Sequence, residues 1–265
     1  MTPELQPLAG IRVLVTRPAH QAAAICQALT DSGAEAIAFP TLDIQQVDDY
    51  SDNLPLLNNT FLNLDLYHAV IFVSANAART GHDWIDRYWP QLPVGVHWLA
   101  VGKATANTLK ALQIEVLFPE KGMDSEALLE LTELNDVTSK RILICRGEGG
   151  RECLAEILTS RGAKVDYAEL YRRTKPVYAE QDIESIIYKN LPSVMLVTSN
   201  ESLNNLDQLC QGQQTPLPIT QLRKIPVVVP SQRVAETAGQ LGYSTVIVAD
   251  NATDSAMIAA IQLNL

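Results

Sequence analysis

Hydrophobic positions along the chain fall in short, nearly unbroken runs. Each run is followed by a loop of small and polar residues, and then by a longer stretch with helical spacing. Ile11-Arg-Val-Leu-Val-Thr16 opens the series. Arg17-Pro18 follows, and proline suits a turn or the first residue of a helix. Ala22 to Leu29 reads as that helix, stopped near Gly33. The same grammar returns at Ala69 to Val73, before Ser74-Ala-Asn76, and at Val96 to Val101, before Gly102-Lys-Ala-Thr105. It returns again at Arg141 to Cys145, before Arg146-Gly-Glu-Gly-Gly150, at Val194 to Val197, before Thr198-Ser-Asn200, and at Val227 to Val229, before Pro230-Ser231. Strands apolar at consecutive positions are covered on both faces, so the pattern predicts an α/β protein with parallel sheets between helical layers. Pro40 to Asp52 and Gln211 to Pro218 read as irregular, and Tyr171 to Val177 as a crossing segment between lobes.

The strand–loop–helix units repeat. Val13-Leu-Val-Thr-Arg17 aligns with Leu143-Ile-Cys-Arg146 at an offset of about 129, and Gly33-Ala34 with Gly162-Ala163 at the same offset. Phe72-Val-Ser-Ala-Asn76 aligns with Leu196-Val-Thr-Ser-Asn200 at about 124, and Val101-Gly-Lys with Val229-Pro-Ser at about 128. Matches in order, at nearly constant offset, point to an internal duplication and to two similar flavodoxin-like sheets.

Composition narrows the function. A formal charge of −10 over 265 residues argues against a nucleic-acid or anionic-membrane partner, although an acidic protein can hold a basic pocket. The start carries no signal-peptide pattern, and no run reaches the roughly 18 to 20 apolar residues of a membrane span. Cys26, Cys145, Cys153 and Cys210 are scattered without metal spacing and read as reduced thiols of a cytoplasmic protein. The four histidines show no paired ligand spacing either, so no metal is expected.

The loops at the carboxyl ends of the strands carry hydroxyl and amide residues: Thr16, Ser74, Asn76, Thr105, Thr198, Ser199, Asn200 and Ser231. Such residues cap helices, and they also bind anions at helix N-termini. Nucleotide signatures fail: Gly102-Lys103-Ala104-Thr105 resembles the tail of a P-loop, but His97 stands where its first glycine belongs. Gly147-Glu-Gly-Gly150 lacks dinucleotide spacing, there is no nucleophile elbow, and Asp48, Asp49 and Asp52 read as a solvated acidic loop.

Taken in order, these loops resemble those of the uroporphyrinogen-III synthase family. The matching residues are Thr16-Arg17-Pro18, Phe39-Pro40, Ser74-Ala-Asn76, Val101-Gly102 with Thr105, and Pro119 with Gly122. They continue through Arg146-Gly147 with Gly150-Arg151, Tyr171-Arg172-Arg173, Thr198-Ser199 and Pro230-Ser231 with Arg233. The resemblance implies two lobes joined by a two-stranded linker: residues 1–37 with 176–265, an inserted lobe 41–170, and linker strands 38–43 and 170–176. It implies a lyase without cofactor, which closes hydroxymethylbilane with inversion of ring D and loss of water on the route to haem, sirohaem, cobalamin or chlorophyll. It implies Tyr171 as general acid, since a phenol carries its proton at neutral pH. Ser74, Thr105, Thr198, Ser199 and Ser231 would hold substrate carboxylates, with Gly102 in the same loops, Arg17 and Arg151 as charge partners, and Asn76 ordering the loop behind Ser74. Lys103 and Arg146 read either as further partners or as solvated surface charges. A monomer is expected, with transient contact to the preceding pathway enzyme. The alternative reading is a non-enzymatic two-lobed module that binds a small anion.

Overall fold

The computed structural model describes residues 6–47, 52–119, 125–150, 152–211 and 219–265. Along the chain the elements begin β1 (Arg12–Val15), α1 (Ala19–Asp31), β2 (Glu35–Ala38), β3 (Asp43–Gln46), α2 (Leu54–Leu62), β4 (Ala69–Phe72) and α3 (Ala75–Tyr88). They continue with β5 (His97–Ala100), α4 (Lys103–Ala111), α5 (Ser125–Leu128), β6 (Arg141–Gly147), α6 (Cys153–Ser160), β7 (Lys164–Thr174) and α7 (Glu180–Ile183). The last are β8 (Val194–Leu196), α8 (Asn200–Cys210), α9 (Ile219–Leu222), β9 (Val227–Val229), α10 (Gln232–Leu241), β10 (Val246–Val248) and α11 (Asp254–Asn264). Two compact units result: Met1–Asp43 with Thr174–Leu265, and Ile44–Arg173.

The first unit holds a five-stranded sheet in the order β10-β9-β8-β1-β2, with parallel pairing throughout. Counted along the chain within the unit, this is the doubly wound order 2-1-3-4-5. The apolar runs split by the two-residue period of a strand. Leu14, Met195, Val227 and Val229 join one core cluster, and Val13, Val15, Leu196 and Val228 join the other. Both faces are therefore dry, which is why polar alternation is missing from these segments.

The second unit holds the order β3-β7-β6-β4-β5, with β4 paired in parallel to β5 and β6, and β6 to β7. Val70, Phe72, Leu143 and Cys145 face one cluster, and Ala69, Ile71, Ile142 and Ile144 the other. Complete burial of a side chain such as Ile71 stabilises by about 1.5 to 3 kcal/mol. β3 was not expected: it lies inside the stretch read as irregular, and its exposed, polar Asp-Ile-Gln-Gln sequence has no strand pattern of its own. Its place at the edge beside β7 gives it a ladder instead.

The sequence repeat has a structural counterpart. Two residues past α1 stands Gly33 (φ +91), and two past α6 stands Gly162 (φ +88). The alanine after each is buried, and its amide bonds the carbonyl five residues back: Ala34 to Leu29 and Ala163 to Leu158. A left-handed residue at the helix end turns the chain into the next strand, and glycine takes that conformation without a Cβ penalty. The duplicated Gly-Ala pair is thus a duplicated helix stop.

Candidate active site

In each sheet the strand order reverses at one adjacent pair, β1/β8 in the first unit and β4/β6 in the second. Loops leaving such a pair at its carboxyl end diverge and leave a crevice that ligands use. In the second unit Ser74 leaves β4 in extended conformation and caps α3, its Oγ accepting from the Ala77 amide at 3.0 Å. The same oxygen lies 3.0 Å from the Tyr171 hydroxyl. One oxygen therefore serves both the helix cap and the contact with Tyr171.

Tyr171 arrives there through an irregularity. The β6–β7 register runs evenly from Arg141↔Lys164 to Arg146↔Glu169, then jumps to Gly147↔Tyr171. This bulge leaves Leu170 without an opposing residue, and Leu170 and Tyr171, neighbours in sequence, both join the same core cluster. Strict alternation would have sent the tyrosine to the opposite face. Gly147 completes the arrangement, because a Cβ there would stand 2.7 Å from the Tyr171 ring. The Glu148 amide bonds the Tyr171 carbonyl at 2.7 Å and fixes the strand end.

A cavity of about 260 Å³ is lined by Ser74, Arg146, Gly147, Tyr167, Tyr171 and Arg173, among others. Its described lining carries two arginines and no carboxylate. Arg146 is not the solvated surface charge that one sequence reading allowed, for it is only 6% exposed. It occupies the last buried position of β6, and its guanidinium stacks 4.7 Å from the Tyr167 ring centre. Nothing in the sequence marks that burial except Gly150, whose missing Cβ leaves room for it. A larger groove of about 820 Å³, along β5 and residues 113–117, shares none of these residues.

The other expected residues divide between the units. In the second unit, Asn76 lies in the first turn of α3, Gly102 is the extended residue before α4, Lys103 is exposed and Thr105 is buried in the first turn of α4. Arg151, Gly122, Asp48 and Asp49 lie outside the described residues. In the first unit Thr16 turns inward, its hydroxyl donating to the Leu196 carbonyl at 3.0 Å and bonding Ser202 Oγ at 3.0 Å. Arg17 pairs with Asp254 and donates to the Ala252 carbonyl at 2.8 Å. Thr198 is half-buried in the loop two residues beyond β8, and Ser199 caps α8 through the Ser202 amide at 3.1 Å. Ser231 precedes α10 in extended conformation and makes no side-chain cap bond.

Two parallel α/β units, each with hydroxyl-bearing loops at its switch point and one with a cavity that two arginines line beside a tyrosine, define a doubly wound α/β protein. The family model described as "Uroporphyrinogen-III synthase HemD" matches residues 23–259. The uroporphyrinogen-III synthase of Salmonella typhimurium is 34% identical over 255 residues, covering 94% of this chain and 99% of the relative. The Escherichia coli enzyme is 33% identical over the same shares. Crystal structures of the synthases from Helicobacter pylori and Thermus thermophilus each superpose with a TM-score of 0.59 at 14% identity, covering 96% of this chain and 100% of theirs, and so share its fold. The chain belongs to the uroporphyrinogen-III synthase family, a family of enzymes of tetrapyrrole biosynthesis.

Proposed function

We propose that this chain closes hydroxymethylbilane to uroporphyrinogen III, with loss of water and inversion of ring D, and that Tyr171 supplies the proton. Family membership supports the reaction. The observation that carries the site is the 3.0 Å contact between the Tyr171 hydroxyl and Ser74 Oγ, on the lining of a cavity with two arginines and no acid.

The chemistry asks little of the protein beyond position and one proton. Loss of the substrate's hydroxyl leaves an azafulvene cation stabilised by the pyrrole nitrogen. Ring D attacks it through its substituted carbon, the resulting spiro intermediate fragments and recloses with ring D inverted, and the proton shed by the reclosing ring-D carbon restores the Tyr171 phenol. Tyr171 would donate to the departing hydroxide. Ser74 Oγ, which already accepts from Ala77, can turn its own proton toward the tyrosine oxygen and stabilise the phenolate that forms. Ser74, Asn76, Gly102, Thr105 and Arg151, with Thr198, Ser199 and Ser231, are proposed to meet substrate carboxylates. Arg17 would do so by exchanging Asp254 for one of them. The protein would act as a cytoplasmic monomer without cofactor and receive its unstable substrate from the preceding enzyme. Among the described residues no helix is long and apolar enough to cross a membrane.

The test is turnover. Purified protein given hydroxymethylbilane should yield predominantly the type III isomer after oxidation to porphyrin, at a rate that EDTA does not lower. Type I product formed only at the spontaneous rate would overturn the proposal.

A further inference from the structure

The partly buried arginines elsewhere among the described residues have visible partners. Arg12 pairs with Glu35, Arg17 with Asp254, Arg141 with Asp166 and Arg223 with Asp207. Arg161 donates to the carbonyls of Leu129 and Leu134, both at 2.8 Å. Arg146 differs: at 6% exposure it is more buried than any of these, yet among the described residues no carboxylate lies within ion-pair distance. Its Nε donates to the Gly147 carbonyl at 3.2 Å, which uses one of five N–H donors. The Tyr167 ring fixes the plane of the guanidinium by stacking. Gly150, at φ +102, leaves the space the fork needs, since a Cβ there would stand 2.8 Å from Nη2.

A desolvated cation is costly unless an anion or several acceptors meet it. Here the remaining donors line a cavity of about 260 Å³, far larger than a single-water site and without a described acid. We propose that Arg146 anchors one carboxylate arm of the substrate by a bidentate pair within this cavity; this rests on the reading of the chain as a hydroxymethylbilane cyclase. The planar fork matches a carboxylate as no lysine can. An arm held there lies on the same lining as the Tyr171 hydroxyl, so it fixes which part of the substrate meets the proton donor.

Two measurements on Arg146→Gln and Arg146→Lys test the proposal, with the surface arginine of α3, in Arg87→Gln, as control. The first is steady-state cyclisation of hydroxymethylbilane. The second is binding of uroporphyrin III, the stable oxidised octacarboxylate, followed by its fluorescence, which needs no turnover. Arg146→Gln should raise KM and the porphyrin Kd by about tenfold to a hundredfold, with kcat within about threefold, because an arm contact is made in ground and transition states alike. Arg146→Lys should fall between, and Arg87→Gln should match wild type. Unchanged KM and Kd in a folded Arg146→Gln would overturn the proposal, as would a loss confined to kcat. If Arg146→Gln fails to fold, Arg146→Lys decides by the same criteria. A wild-type protein that does not cyclise hydroxymethylbilane would sink the functional reading alone, and the porphyrin measurement would still decide the pocket.

Discussion

The hydroxyl of Tyr171 has one hydrogen-bond partner among the described residues, Ser74 Oγ, although the ring itself is 6% exposed and packed in the core. Tyr171→Phe removes the proton but keeps the packing. It should lower kcat by about tenfold to a hundredfold, the low end for general-acid loss because water can replace the donor, and leave the thermal midpoint within a few degrees. Full activity in that variant would make Tyr171 a packing residue. Ser74→Ala should lower kcat less and also destabilise by about 1 kcal/mol through loss of the α3 cap. A second residue-scale effect lies in the first unit, where burial pushes the Cys210 thiol from its ordinary 9.0 up to about 12. The folded chain then keeps a proton that the unfolded chain releases. Stability is unaffected below about pH 9 and falls as pH rises toward 12, by at most about 1.4 kcal/mol per unit for one group. Burial moves Cys145 and Tyr243 in the same direction and steepens the slope. Urea midpoints between pH 8 and 10.5 should decline less steeply in Cys210→Ala than in wild type, and parallel curves would exclude the thiol as a contributor.

At the scale of elements, the helix stops carry the clearest consequence. α10 ends at Gly242 (φ +89), with the Tyr243 amide bonding Ala238, and α4 ends in the same geometry with the Ile114 amide bonding Leu109. The left-handed position after α4 is Gln113, exposed and at φ +62. Gln113→Gly should therefore stabilise by about 0.5 to 1 kcal/mol, the reverse of the usual cost of adding glycine, and a lowered midpoint would show that the side chain contributes more than its strain costs. The β6–β7 bulge makes the complementary case. Gly147→Ala would press a Cβ against the Tyr171 ring and should lower kcat at least as far as Tyr171→Phe. Gly149→Ala, at φ +69 with nothing within 4 Å, should cost only backbone strain of about 1 to 2 kcal/mol. Equal activity in both variants would detach the bulge from the site. Neither feature is legible beforehand. Gln113 has the composition of any solvated residue, and the bulge is a property of two strands whose paired residues lie 23 to 24 positions apart.

For the whole molecule, the division between units does not follow the repeat. β1 and β2 come from the first half of the chain, yet β1 pairs with β8 from the second; β4 pairs with β6 across the same midpoint. A fragment 1–132 would keep β1 without β8 and β4 without β6, exposing apolar faces on both. We propose that a fragment 41–173 carries a complete sheet with its helical layers and folds alone. Cooperative thermal unfolding is expected from 41–173 and not from 1–132, and the opposite result would mean that each half of the duplication is the folding unit. No local segment can announce this arrangement, because pairing partners some 180 residues apart leave no mark on hydropathy.

Much of the protein was nonetheless written in the chain. Runs such as Ala69 to Phe72, apolar at every position, can be satisfied only by a strand covered on both faces, and that fixed the parallel α/β class. Gly33 and Gly162 set helix stops because their conformation is open to few other residues, and Ser74 and Ser199 cap because their hydroxyls sit one residue before a helical run. Those are local effects with local causes. What the tertiary structure alone decided was register and burial: which strands adjoin, where β3 finds its ladder, and that Tyr171 meets Ser74 across 97 positions. It also decided that Arg146 is a buried cation beside an aromatic ring, whereas Arg17, equally plausible in sequence, is neutralised by Asp254. A charge takes its meaning from what lies within a few ångströms of it, and that neighbourhood exists only once the chain has folded.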